Sequence, residues 1–230
     1  MPAYNEEANI GQMIEDSIAV LSKITDDFEV IVVNDGSKDG TARVVQEKAA
    51  IHPQVRLVQH PVNLGYGAAV FDGMVAATKD LIFFTDSDRQ FVLEEIERLL
   101  PKISTADMVV GYRAPRRDPW LRVLYGKGWS MLVTLLFGYT ARDIDCAFKL
   151  FKREIITCIG SQIESRGATF SAEFLVRTKR AGYTIAEVPV THRPRTAGAQ
   201  TGARLHVISR AFKELVRFRW KLWREGVAGR

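Results

Sequence analysis

Cysteine is scarce in this 230-residue chain: only Cys146 and Cys158 are present. They form no Cys-x-x-Cys pair, and no signal-peptide pattern is found. Neither a disulfide framework nor a thiolate zinc site is indicated, and a reducing, cytosolic setting is expected. Low-complexity stretches are missing too, and hydrophobic residues make up 47% of the chain, which sets aside the disordered and fibrous classes. The length suits one well-filled core and demands no second domain.

The net charge of +5 is unevenly spread. From Ala203 to Arg230 there are eight Lys or Arg against two Glu, a net +6, so the remainder of the chain stands near −1. A basic segment can meet nucleic acid or lipid. Here Phe212, Phe218, Trp220 and Trp223 are interleaved at helical spacing, which points to a lipid surface, and no nucleic-acid partner is expected.

Short apolar runs rich in β-branched and aromatic residues, Phe28–Val33, Val55–Gln59, Leu81–Phe84 and Met108–Val110, predict strands. The stretches Glu7–Leu21, Thr41–Ala50, Ala68–Ala77 and Val92–Leu100 repeat apolar residues three and four apart and predict helices. Alternating strand and helix implies an α/β domain whose sheet is covered by helices. Ligands of such sheets bind outside the carboxyl ends of the strands. Two acidic clusters fall there: Asn34-Asp35-Gly36-Ser37 after one strand and Thr85-Asp86-Ser87-Asp88-Arg89-Gln90 after another. Each alone is ordinary turn or N-cap chemistry; both on one sheet edge make a site.

Positions two apart in an extended segment point the same way, so Asp86, Asp88 and Gln90 are candidate metal ligands. Oxygen donors without His or thiolate favour Mg²⁺ or Mn²⁺ over zinc or copper.

Four segments, Pro2-Ala3-Tyr4-Asn5-Glu6-Glu7, Val33-Asn34-Asp35-Gly36-Ser37-Lys38-Asp39-Gly40-Thr41, Asn63-Leu64-Gly65-Tyr66-Gly67-Ala68-Ala69 and Asp86-Ser87-Asp88-Arg89-Gln90, resemble the successive motifs of the family 2 glycosyltransferases, in family order. The likeness, closest to the dolichyl-phosphate mannose synthase branch, continues through Gly111-Tyr112-Arg113, Asp143 with Phe148-Lys149, Glu173, and Glu187-Val188-Pro189-Val190 followed by Arg195 and Gly198. It implies a single-domain glycosyltransferase A (Rossmann-like) fold over residues 1–202, with a mostly parallel central sheet, followed by a basic amphipathic helix over 203–230. It further implies that Pro2, Tyr4, Glu6 and Asp35 hold the nucleoside, with Gly65 and Gly67 in the nucleotide-sugar pocket. Asp86 would face the ribose and sugar phosphate, and Asp88 with Gln90 the metal; Asp86, Asp88, Arg113 and Arg195 are the implied catalytic set. Gly-x-Gly-x-x-Ala is also a dinucleotide fingerprint, but that motif belongs after the first strand. In relatives a strand precedes the Pro-Ala-Tyr-Asn-Glu motif, so the sheet is expected to lack it here. Relatives also often carry Ser-Lys where this chain has Gln200-Thr201, so the diphosphate contact is expected to fall to Arg193 or Arg195 or to be absent.

The implied reaction is inverting, metal-dependent transfer of a sugar from GDP-mannose or UDP-glucose to a polyprenyl phosphate. The acceptor, with a second phosphate pKa near ~6, is already ionised at neutral pH and requires no general base. Arg113, Lys127, Arg193 and Arg195 are the candidates to bind its phosphate. A hydroxyl acceptor on a glycan or lipid, or a catalytically silent membrane-binding module, is the alternative. A processive synthase is disfavoured because Val216 stands where the Gln-x-x-Arg-Trp motif needs Gln.

Trp129–Phe137, about 13 Å long as a helix, is too short for a hydrocarbon core of about 30 Å and is either core or interfacial. In the C-terminal segment Leu205, Ile208, Phe212, Leu215 and Leu222 gather opposite Arg210, Lys213, Arg217, Lys221 and Arg224. This predicts an interfacial helix and a peripheral protein at the cytoplasmic face of a membrane, with a packed helix carrying a solvated basic back as the competing arrangement. The sequence leaves the oligomeric state open.

Overall fold

The computed structural model describes residues 1–114, 120–194 and 205–228, without the side chains of 120–123, 125, 205–210 and 226–228. Strands Pro2–Ala3 (β1), Val30–Asp35 (β2) and Val55–His60 (β3) pair in parallel in the order β1-β2-β3. The register sets Ala3 beside Asn34 and Asp35 beside His60, so the three carboxyl ends lie level. β2 is buried along its whole length, as a strand covered on both faces must be. Its alternate residues serve different helices. Val30 and Val32 pack with Ile10 and Ile14 of α1 (Glu7–Leu21) and Val45 of α2 (Thr41–Ile51). Ile31 and Val33 pack with Ala69 of α3 (Tyr66–Ala76).

A second sheet takes the order β4-β6-β5-β7, from Leu81–Thr85 (β4), Met108–Arg113 (β5), Phe148–Lys152 (β6) and Ile185–Val190 (β7). β6 runs antiparallel to both β4 and β5, whereas β5 and β7 are parallel. Between the sheets lies a largely apolar cavity of about 610 Å³, bordered by Val30 and Ile31 of β2 and by the whole of β4; none of Asp35, Asp86, Asp88 or Arg113 lines it. The Met1 amine at its edge donates to the Ile31 carbonyl at 2.7 Å, and burial brings its pKa down to about 5.

Four predicted strands and three predicted helices are present at nearly the expected bounds. Val92–Leu100, expected as an α-helix, is instead a pair of 3₁₀ turns, Leu93–Arg98 and Leu100–Lys102. Its buried apolar residues Leu93, Ile96 and Leu99 fall strictly three apart, the eclipsed spacing of a 3₁₀ helix, and Pro101 removes the backbone donor that would prolong an α-helix.

The helices α4 (Trp120–Phe137), α5 (Glu154–Ile159), α6 (Phe170–Arg180) and α7 (Leu205–Ala228) complete the chain. In α4, Val133 is buried and Trp129, Leu132, Leu136 and Phe137 lie against the core, while Met131 is 75% and Leu135 80% exposed. Trp129–Phe137 is therefore core on one face and open on the other. α7 divides in the same way. Ala211, Leu215, Phe218 and Leu222 are buried, with Phe218 against Phe137 at 5.1 Å between ring centroids. Lys221 pairs with Glu164, Glu214 accepts from Thr169 Oγ1 at 2.6 Å, and Arg177 of α6 reaches Glu225 at 3.5 Å. Phe212, grouped with Leu215 and Leu222 by the sequence pattern, lies instead on the outer face, 51% exposed, with Val216, Trp220 and Trp223.

Candidate functional site

The two acidic clusters, expected on one sheet edge, follow strands of different sheets, β2 in the first and β4 in the second; the Gly65-Tyr66 step links them, the Gly65 N–H donating to Asp35 and Tyr66 Oη to Asp86. Pro2 is buried in β1 and pairs with Val33, leaving Tyr4 exposed just beyond. Asn5 takes a left-handed backbone (φ 55), which Asn tolerates. Its side-chain oxygen accepts from the Lys38 N–H at 2.8 Å, and its own N–H donates to Ser37 Oγ at 2.9 Å. The Tyr-Asn-Glu turn and the Asp-Gly-Ser-Lys turn are thereby interlocked. Glu6 is buried, accepting from Asn9 Nδ2 at 2.6 Å, and its N–H donates to Thr41 Oγ1 at 2.9 Å.

Asp35, at the end of β2, is buried. Its Oδ1 accepts from His60 Nδ1 at 2.8 Å and from the Leu64 N–H at 2.8 Å, and its Oδ2 from the Gly65 N–H at 3.0 Å. The carboxylate thus ties down the loop that carries the two glycines. Gly65 has φ 103, open to glycine and strained for other residues, and a Cβ there would stand 2.7 Å from the Arg166 carbonyl oxygen. A Cβ at Gly67 would stand 2.7 Å from both the Gly167 carbonyl oxygen and Phe170 Cβ. The first turn of α3 is pressed against the segment before α6, and the Ala68 N–H donates to the Arg166 carbonyl at 3.1 Å. These glycines follow β3 rather than the opening strand, unlike a dinucleotide fingerprint.

Asp86 and Asp88 follow β4. Burial, reinforced by the charge of Asp88, pushes the Asp86 carboxyl up to about 7, against a Tyr66 hydrogen bond and the positive charges of Lys149 and Arg113. Tyr66 Oη donates to Asp86 Oδ1 at 3.0 Å. Tyr66 is 40% exposed, yet desolvation of its hydroxyl and the adjacent Asp86 hold the phenol above its usual range, so it remains a donor. The segment is not the extended one that alternation assumes, because Arg89 turns left-handed (φ 58). Asp88 Oδ1 accepts from the Gln90 N–H at 3.1 Å. Gln90 is buried, and its Nε2 donates to the Arg193 carbonyl at 2.7 Å while the Arg193 N–H returns to the Gln90 carbonyl at 2.7 Å. Gln90 thus joins the Asp-x-Asp turn to the segment after β7. Among the described residues no three His, Cys, Asp or Glu side chains converge as a complete metal cage.

Arg113, at the end of β5, forms a bidentate pair with Asp143, Nε to Oδ2 and Nη2 to Oδ1, both at 2.7 Å. Lys127 is exposed on α4, and Arg193 is exposed beside Gln90. Arg195, Gly198, Gln200 and Thr201 lie outside the described residues. Lys149, quoted only as part of a motif, is buried in β6, donating to the Ile144 carbonyl at 3.2 Å and to that of Cys146, with its ammonium over the Phe84 ring. Burial lowers its pKa, against the charges of Cys146, Asp145, Asp143 and Asp86. The sequence reading also missed Tyr66, His60 and Asp72. The signal for the first was its place between Gly65 and Gly67; His60 and Asp72 had none, since their pairing depends on β3 lying beside β2.

The family model described as glycosyl transferase family 2 matches residues 1–160. The chain is 36% identical over 208 residues to a dolichyl-phosphate beta-glucosyltransferase of Trichomonas vaginalis (strain ATCC PRA-98 / G3), covering 83% of this chain and 61% of that protein. A second one from that organism is 33% identical over 83% of this chain and 63% of its own length. The chain therefore spans under two thirds of these relatives. Glucosyl-3-phosphoglycerate synthase of Mycobacterium tuberculosis, solved with Mn²⁺, UDP and glucosyl-3-phosphoglycerate, superposes with a TM-score of 0.70 at 24% identity, over 95% of this chain and 77% of that one; it shares the fold. With the family's model matching residues 1–160, more than half of the chain, the chain belongs to glycosyltransferase family 2.

Proposed function

We propose that this chain transfers a glucosyl unit from UDP-glucose to the phosphate of a polyprenyl phosphate, with inversion, as a peripheral protein at the cytoplasmic face of a membrane. The observation that carries the proposal is the likeness to dolichyl-phosphate beta-glucosyltransferases over 83% of the chain. Glucose is favoured over mannose by the names of those relatives. Uridine is favoured over guanosine by the UDP in the complexes of the similarly folded synthase.

Asp86 and Asp88 suit Mg²⁺ or Mn²⁺. They are hard oxygen donors, with the Asp86 carboxyl raised by burial first and by the charge of Asp88 second, and one or two carboxylates with substrate phosphates are the ordinary ligand set of Mg²⁺. When bound, the cation supplies charge neutralisation to the diphosphate leaving group. Gln90 is assigned to the cation through its side-chain oxygen, while its Nε2 donates to the Arg193 carbonyl and joins the Asp-x-Asp turn to that segment. Asp35 fixes the glycine loop against which the nucleoside lies, and Tyr66 orients Asp86. An ionised phosphate oxygen of the acceptor attacks the anomeric carbon; the bond from that carbon to the diphosphate oxygen breaks, and UDP departs with the electron pair. The acceptor brings its own charge, so the protein's task is to position it. Arg113, Lys127, Arg193 and Arg195 are assigned to that task. Arg113 is held rigid for it by Asp143.

The lipid surface is assigned to the outer faces of α4 and α7. No helix among the described residues is long and apolar enough to cross a membrane. On α7, Phe212, Val216, Trp220 and Trp223 form a solvent-facing stripe flanked by the basic Lys213, Arg217, Arg219 and Arg224, an arrangement suited to an anionic interface. Leu124, Met131 and Leu135 of α4 form a second one.

The test is transfer into anionic vesicles bearing a polyprenyl phosphate, from labelled UDP-glucose, GDP-mannose and UDP-N-acetylglucosamine, with Mg²⁺ or Mn²⁺. Lipid-linked glucose should form from UDP-glucose, stop on chelation and be absent with Asp88→Asn. Transfer only to a soluble hydroxyl acceptor would overturn the acceptor assignment. Nucleotide binding without any transfer would make the chain a binding module.

A further inference from the structure

His60 closes β3 at the root of the loop leading to Gly65 and Gly67, and it is buried. Both of its ring nitrogens face carboxylates. Nδ1 lies 2.8 Å from Asp35 Oδ1, and Nε2 lies 3.1 Å from Asp72 Oδ2. Asp35 comes from β2 and is almost wholly buried; Asp72 comes from α3 and is partly open to solvent. The ring therefore bridges a strand end to the helix that the glycine loop begins, with one nitrogen in contact with each carboxylate.

We infer that His60 is a positioning residue for nucleotide binding. It acts through Asp35, whose oxygens also receive the Leu64 and Gly65 N–H groups. The inference rests on the proposal that this loop lines the nucleotide-sugar pocket. A buried carboxylate accepting three hydrogen bonds has its orientation set by all three. Two of its donors belong to the loop itself; the third, His60, is anchored independently by the ladder pairing of β3 with β2. Without it, Asp35 and the loop can shift together. The Asp72 contact, by contrast, is at the rim, where a charge pair contributes less.

The two contacts can be separated, because an Asn amide nitrogen falls near the place of Nδ1 and a Gln amide nitrogen near that of Nε2. His60→Asn keeps a donor for Asp35 and gives up Asp72; His60→Gln does the reverse. The experiment is calorimetric binding of UDP, with Mn²⁺ present and absent, to the full chain and both variants, beside thermal melts and the KM for UDP-glucose. His60→Gln should weaken UDP binding and raise the donor KM about tenfold or more, the scale of one hydrogen bond to a charged group, with the KM for the lipid acceptor unchanged. His60→Asn should stay within about threefold of wild type. If His60→Gln binds UDP like the wild type, or if both variants lose binding equally and in step with melting temperature, His60 is a structural residue and the inference is overturned. A wild-type protein that binds no nucleotide would instead overturn the proposed function, and this inference with it.

Discussion

Replacing Asp86 by Asn should stabilise the fold while destroying the activity, and the gain should depend on pH. In the folded protein burial and Asp88 push the Asp86 carboxyl from 3.8 up to about 7. The folded state then holds a proton more tightly than the unfolded chain, so stability is fully present below about pH 4 and is lost as pH rises towards 7. At about 1.4 kcal/mol per pKa unit, the shift corresponds to a deficit of at most about 4 kcal/mol above pH 7. Asn carries no charge and can still accept from Tyr66, so Asp86→Asn should recover about 2–4 kcal/mol at pH 8 and nothing at pH 4. For a chain of this size that is a rise in Tm of roughly 4–15 °C. Saturating Mn²⁺ with UDP should narrow the gap, because ligands that bind the native wild-type site stabilise it by mass action. Differential scanning calorimetry of both proteins at pH 4, 6 and 8 decides the matter. A variant that melts lower at pH 8, or higher by the same amount at every pH, would refute the reasoning.

Tyr66→Phe removes only the hydroxyl that donates to Asp86 Oδ1, and should weaken Mn²⁺ binding, read by electron paramagnetic resonance, by about three- to tenfold with little change in Tm. Gly67→Ala places a methyl 2.7 Å from the Gly167 carbonyl oxygen and Phe170 Cβ, so it should lower stability by about 1–3 kcal/mol in urea titration and weaken UDP binding as α3 is pushed off the Arg166 segment. Leu222→Ala, on the buried face of α7, should cost about 2–5 kcal/mol in the same titration. Trp220→Ala with Trp223→Ala should leave stability within about 1 kcal/mol and reduce sedimentation with anionic vesicles at least tenfold, since each ring is more than half exposed and would bury on the order of 100 Å² in the interface, at about 25 cal/mol per Å².

The alternation that predicted β2, β3, β4 and β5 was legible because those strands are short, β-branched and separated by helices of regular spacing. The acidic clusters were legible because each stands immediately after a strand; that β2 and β4 belong to different sheets, linked through Gly65 and Tyr66, was not. β6 escaped because Phe148-Lys149-Leu150-Phe151-Lys152 places lysines where a buried strand should be apolar; only the fold supplies the carbonyls of Ile144 and Cys146 that make a buried Lys149 tolerable. The local backbone at Gln90 was not legible either: its spacing from Asp86 and Asp88 implies an extended chain, whereas Arg89 turns left-handed and the Gln90 amide nitrogen reaches the Arg193 carbonyl.

The C-terminal helix marks where periodicity alone runs out. Projected at 100° per residue, Leu215 and Leu222 fall on one arc with Ala211 and Phe218, whereas Phe212, Val216, Trp220 and Trp223 fall on the adjoining one; a single hydrophobic direction averages the two. Packing against Phe137 and Arg177 uses the first arc, whose residues are the smaller or aliphatic ones plus one ring. The second keeps two tryptophans, the side chains best suited to a boundary that is apolar on one side and wet on the other. Packed helix and interfacial helix were posed as alternatives because one apolar stripe cannot meet both a core and a lipid surface. With two stripes about a third of a turn apart the alternatives cease to compete. The polar contacts of Glu214, Lys221 and Glu225 with the Glu164–Arg177 region then hold the second stripe outward at a fixed angle to the body that carries Asp86 and Asp88.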